Sequence, residues 1–62
     1  MSDQQIIADA TMRIHSGDWY GAANLLKSAS GAEAQYIAQL MSDIIDPDEA
    51  IKQKVLALLD RQ

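Results

Sequence analysis

The residues best suited to acid–base or nucleophilic chemistry lie around His15, the only histidine of the 62-residue chain. Asp9, Ser16 and Asp18 are close to it in sequence, and a hydrolytic triad combines a base, a nucleophile and an orienting acid of these types. A triad must meet in a cleft, whereas His15 falls in the last turn of a predicted helix, where a histidine complements the helix dipole. We therefore expect no enzyme activity and no catalytic residue.

A second group of chemistry-bearing residues is acidic and comprises Asp43, Asp46, Asp48 and Glu49. Several carboxylates together can bind calcium, but an EF-hand loop needs ligands at alternate positions and a glycine at its sharp turn, and "DIIDPDEA" has neither. A lone histidine and the absence of cysteine exclude the common zinc sites. The sequence thus predicts no metal site and no cofactor, and it assigns the last three acids to helix capping.

Composition and charge narrow the classes of partner. Nine acidic against five basic side chains give a net charge of −4, so the average field repels phosphate and nucleic acid is an unfavourable partner. The longest apolar run, residues 55–59, is far shorter than the roughly 20 residues of a membrane span, and the first residues lack a basic signal segment. We expect a cytoplasmic protein that does not enter a membrane.

The length of the chain limits its stability. A domain of 62 residues buries only about 60% of the surface that its unfolded chain exposes, and without cysteine no disulfide can compensate. Small domains of this kind gain stability from regular helix packing or from self-association. We therefore expect a homodimer.

Helix start and stop signals divide the chain into four short helices, at about residues 3–15, 19–29, 31–45 and 47–60. Ser2 is placed to cap the first helix, with Met1 and Ile6 as a hydrophobic staple, and Gly17 to end it. Asp18 is the predicted cap of the second helix. The predicted fold class is all-α: a single domain over residues 1–62, built as a small bundle with tight turns.

The two later helix starts are predicted from similar signals. Ser30 and Glu33 form a capping box for the third helix, although the neighbouring glycine could equally close the second. For the fourth helix, Asp46 is the predicted cap and Pro47 the first helical residue, because proline pushes the preceding residue out of the helical region. An ion pair four residues apart is expected between Asp48 and Lys52.

Apolar residues spaced three and four apart give each helix a side that can be buried. The third helix is apolar over more than half of its circumference, which is typical of a central helix. The predicted core anchors are Trp19, Leu26, Ile37, Leu40, Ile44, Ile51, Val55 and Leu58. The predicted partner-binding patch combines aromatic and apolar residues that the core leaves available, namely Tyr20, Tyr36, Met41, Met12 and Leu56.

The stretch "GDWYGAANLLKSA", residues 17–29, is similar to the second helix of a tetratricopeptide repeat. Glycine and aspartate precede an aromatic residue, and small and large apolar residues recur at Ala22, Leu26 and Ala29. The likeness is confined to this stretch, because Asp9 stands where that repeat buries a large apolar side chain, so the chain is not assigned to the family. The resemblance implies a helix that packs tightly against its predecessor and often leaves a groove for a peptide.

These features predict a small acidic protein-interaction module, with a regulatory or adaptor role and a protein partner. The main alternative is a helix-turn-helix DNA-binding regulator. The third helix offers Gln35, Tyr36 and Gln39 for contacts to nucleobases, but the chain has no basic residue between Lys27 and Lys52. A minor alternative is an acidic nucleic-acid mimic that inhibits a basic protein.

Overall fold

A computed structural model describes residues 2–62, which fold into four α-helices without any strand. The predicted all-α bundle is thus confirmed. The helices are α1 (Asp3–His15), α2 (Trp19–Lys27), α3 (Ala32–Asp43) and α4 (Glu49–Asp60). The predicted staple between Met1 and Ile6 lies outside the described residues because it includes Met1.

The junction of α1 and α2 follows the predicted capping chemistry. The hydroxyl of Ser2 accepts from the amide of Gln5 at 3.3 Å and caps α1. Gly17 ends the helix with a φ of +90°, a left-handed conformation that glycine adopts without steric cost. Asp18 then caps α2 by accepting from the Gly21 amide at 3.0 Å. These three predictions are confirmed.

The junction of α2 and α3 corrects the predicted capping box at Ser30. α2 ends at Lys27, and α3 begins after Gly31, whose position as N-cap involves no side-chain bond. The first residue of α1 binds this turn: the Asp3 carboxylate accepts from the amide of Ser30 at 3.0 Å and from that of Gly31 at 2.8 Å, just before α3 begins. The Ser30 hydroxyl donates to the same carboxylate at 3.1 Å, and because Ser30 precedes the N-cap Gly31, it does not cap α3.

The junction of α3 and α4 is longer than predicted. α3 ends at Asp43, with Ile44 already extended, and α4 begins at Glu49, so the predicted start at Asp46 and Pro47 is wrong. The actual cap is Asp48, which accepts from the Ile51 amide at 2.8 Å. Because its carboxylate turns back onto the helix, the expected ion pair with Lys52 is absent; among residues 2–62 the ion pair observed joins Arg13 and Asp18 at 2.8 Å.

The core surrounds α2 and combines alanines with larger aliphatic side chains. α2 packs closely against both α1 and α3, while α4 packs more loosely on α1 and α3. Six of the fourteen buried apolar residues are alanines, which allow helix axes to approach closely. α4 adds only two fully buried side chains, Val55 and Leu59, and its Ile51 and Leu58 are half-buried against the same core.

The Asp3 bridge gives the fold a dependence on pH. The pKa of Asp3 lies below its ordinary value of 3.8, chiefly because the Ser30 amide and then the Gly31 amide donate to the carboxylate. A carboxyl whose pKa is lowered by folding stabilises the native state above its unfolded pKa, and this contribution is lost as pH falls through the folded pKa.

We therefore expect Asp3→Asn to lower the melting temperature at pH 7, and the difference from wild type to shrink as pH falls below about 4. Circular-dichroism melting at a series of pH values measures it. The matched control is Glu33→Gln, because Glu33 is likewise an acid in the first turn of its helix but is exposed at the surface. Equal melting of the Asp3 variant and wild type at pH 7 would contradict a stabilising bridge.

Candidate docking surface

The adjacent aromatic residues at the start of α2 serve different purposes. Trp19 is buried, only 5% exposed, and its indole N–H donates to the Met41 carbonyl of α3 at 3.0 Å. Tyr20 is 52% exposed, and its hydroxyl donates to the Ile44 carbonyl at 3.3 Å. The pair thus ties the start of α2 to the end of α3, with one ring in the core and the other at the surface.

The same end of the bundle exposes a large aliphatic residue. Ile45 is 80% exposed, the highest value among the exposed large apolar residues, and it follows directly on Ile44, to which Tyr20 is hydrogen-bonded. The Tyr20/Ile45 patch is defined here as Tyr20, Ile44 and Ile45. Sequence reasoning missed Ile45 because it continued α3 to residue 45, although two β-branched residues before Asp-Pro already favoured an extended ending.

An open hollow adjoins this patch. Its lining includes Trp19 and Tyr20 from α2, Asp46 and Pro47 from the α3–α4 turn, and Lys52 from α4. Its volume of about 330 Å³ is at the lower end of the range for small-molecule pockets. Such pockets enclose most of their ligand, whereas this hollow is open. An open hollow of this size fits one side chain of a larger partner better than a free small molecule.

The charge around the patch is concentrated on one short segment. Residues 43–52 carry four acidic side chains and one lysine, and so hold three of the four net negative charges of the chain. No basic residue lies in the last turn of α3, whose terminal carbonyls add negative potential. Asp18 at the edge of the hollow is neutralised by Arg13. The surroundings of the patch are therefore negative.

The structure does not assemble the predicted partner-binding residues into one surface. Met41 is fully buried in the core, so its inclusion was wrong: the buried side of α3 is centred on it. Leu56 is half-buried in the seam between α1 and α4. Met12 is 70% exposed and borders a depression with Leu25, and Tyr36 is 62% exposed on α3.

The predicted core anchors fall into two groups. Trp19, Leu26, Ile37 and Val55 are buried. The other four are half-buried, because they lie at the edges of the helix seams, and these are Leu40, Ile44, Ile51 and Leu58.

The residues considered for catalysis are not brought together. His15 is exposed and lines a groove between α1 and α4 with Leu56 and Asp60. The Ser16 hydroxyl donates to the Arg13 carbonyl at 3.0 Å, and Asp18 is engaged with Arg13 and the α2 cap. No group of three or more potential metal-ligating side chains lies together within residues 2–62.

The exposed side of α3 is polar and acidic. It presents Glu33, Gln39 and Asp43, together with Tyr36, and Gln39 donates to Asp43 at 3.0 Å. Gln35 is turned toward α2, where it donates to the carbonyls of Lys27 and Ala29. A recognition helix needs basic and amide groups facing the phosphates and bases, and the exposed side of α3 carries no basic residue.

No family model, curated protein or solved structure matches the chain. The similarity to a tetratricopeptide-repeat helix is thus limited to residues 17–29, which include α2, and no family match extends it. Within residues 2–62 the helices are too short, or too polar, to cross a membrane. The surface residues described above are therefore the available indication of function.

The hydrogen bonds of Trp19 and Tyr20 should contribute differently to the free energy of unfolding. Trp19→Phe removes a buried donor and leaves space in the core, so we expect it to lower the free energy of unfolding by about 1–3 kcal/mol. Tyr20→Phe removes a bond at an exposed site and should cost less than about 0.5 kcal/mol. Urea unfolding followed by circular dichroism compares the two variants. Equal losses would contradict the division of roles between the rings.

Proposed function

We propose that this chain is a small protein-binding module that acts as an adaptor or regulator by docking, without a chemical step of its own. The observation that carries the proposal is the Tyr20/Ile45 patch, where an 80% exposed isoleucine directly follows the residue whose carbonyl binds the half-exposed Tyr20. An isolated exposed apolar residue needs no explanation, but adjacent large ones with a polar rim are typical of interaction sites.

The patch has the composition of a binding hot spot. Tyrosine is enriched at such positions because a rigid ring supplies contact area at little conformational cost. The Tyr20 ring is already held by its bond to Ile44, so a partner would lose little affinity in ordering it. The surrounding acids provide the polar rim that interfaces commonly have.

The module is also proposed to self-associate, through a different surface. Met12 and Leu25 border a depression between α1 and α2 whose rim includes Asp9 and Arg13. A twofold dimer places the same patch of both copies face to face, and a patch with charges of both signs can then pair each acid with a base of the other copy. Burial of Met12 would add apolar area to a small core.

Sedimentation velocity at micromolar concentration tests this self-association. Wild type should sediment as a dimer and Met12→Glu as a monomer, because the variant places a charge at the centre of the contact. Tyr36→Glu is the matched control, since Tyr36 is similarly exposed but lies on α3; it should remain dimeric. A wild-type protein that is still monomeric at roughly 100 μM would contradict the dimer. For comparison, a dissociation constant of about 8 μM corresponds to a binding free energy of about −7 kcal/mol.

Affinity capture from the native host tests the function itself. We expect wild type to retain a protein partner that Ile45→Asp loses, because a charge replaces an apolar anchor in the contact. Lys27→Ala, at the far end of α2, is the control and should retain the partner. Eluates are stained for nucleic acid as well as protein. Retention of nucleic acid alone, or of nothing beyond a scrambled-sequence control, would overturn the proposal.

A further inference from the structure

We propose that the Tyr20/Ile45 patch binds a cationic amphipathic segment of another protein, with an apolar side chain in the adjoining hollow and Lys or Arg side chains against residues 43–49. This inference rests on the proposed function and specifies the chemistry of the partner. Its basis is the combination of exposed apolar area with negative charge at one end of the bundle.

The apolar part of the surface supplies the contact area. Ile45 projects from the α3–α4 turn, and Tyr20 stands at the entrance of a hollow whose lining includes Trp19 and Pro47. One leucine- or isoleucine-sized side chain of a partner would contact Tyr20 there and lose part of its exposure to water, which stabilises a complex.

The charged part of the surface favours a partner segment with positive charge. Four acids lie within residues 43–49, where no base occurs. Lys52 borders the hollow and offsets one of these charges, and Arg13 is paired with Asp18. The resulting excess of negative charge attracts a cationic segment and raises its association rate, and it repels acidic peptides and nucleic acid.

The same charges disfavour a second copy of the chain on this surface. A twofold contact would place the acids of residues 43–49 opposite themselves, and like charges brought together at an interface oppose binding. The occupant is therefore a different protein segment. Self-association is proposed through Met12 and Leu25, neither of which lines the hollow.

The test uses the full chain, labelled with ¹⁵N, and two helical peptides of about 15 residues with the same leucine face. One peptide carries lysines on its polar face and the other carries glutamates. The lysine peptide should shift the amide signals of residues 18–20, 44–46 and 48, with an affinity that falls as salt rises. The glutamate peptide should leave these signals unchanged.

Variants locate the contact. Ile45→Asn removes the apolar anchor while leaving the charge unchanged, and it should weaken binding of the lysine peptide about tenfold. Tyr36→Ala is the matched control and should bind like wild type. Because both residues are largely exposed, the melting temperatures of both variants should be close to that of wild type. A variant whose melting temperature differs is replaced by Ile45→Ser or Tyr36→Ser.

Three outcomes would overturn the inference: no shifts up to millimolar lysine peptide, equal binding of both peptides, or shifts centred on Met12 or Tyr36. These outcomes are distinguishable from failure of the proposed function. If affinity capture retains a protein partner that Ile45→Asp does not release, the chain is a protein-binding module and only the assignment of this surface fails.

Discussion

The bundle depends on the placement of its largest buried side chain, Trp19, in a core that is otherwise aliphatic and rich in alanine. Trp19 is the only tryptophan, and the alanines of α2 and α3 let these helices approach while its indole spans the junction to Met41. An indole N–H buried without an acceptor would be destabilising, so this hydrogen bond fixes how the start of α2 faces the end of α3. The surface position of Tyr20, the next residue, follows from that alignment.

A carboxylate fixes the opposite end of the bundle. Asp3 belongs to the first turn of α1, yet it binds the amides of Ser30 and Gly31, which lead into α3. One side chain therefore links the start of α1 to the turn between α2 and α3. With both ends of α2 held, the orientation of α3 and the place where it ends are set.

The ending of α3 creates the surface on which the functional argument rests. Ile44 is extended and Asp46 adopts a φ of +54°, a left-handed conformation that aspartate tolerates better than most residues. This path turns Ile45 away from the core and leaves Asp48 to cap α4. Exposure of the isoleucine and concentration of acids thus arise from the same turn, which is why apolar and electrostatic features coincide there.

The sequence by itself determined the number and order of the helices, the caps at Ser2 and Asp18, and the glycine that ends α1, because these depend on residues within one helical turn of each other. Periodicity also placed Trp19 on the inner side of α2. Only the tertiary structure decided that Asp3 would bind the Ser30 and Gly31 amides, that Met41 would be enclosed, and that Ile45 would be exposed. Those outcomes depend on contacts between residues distant in sequence, and local signals carry no information about which distant residues meet.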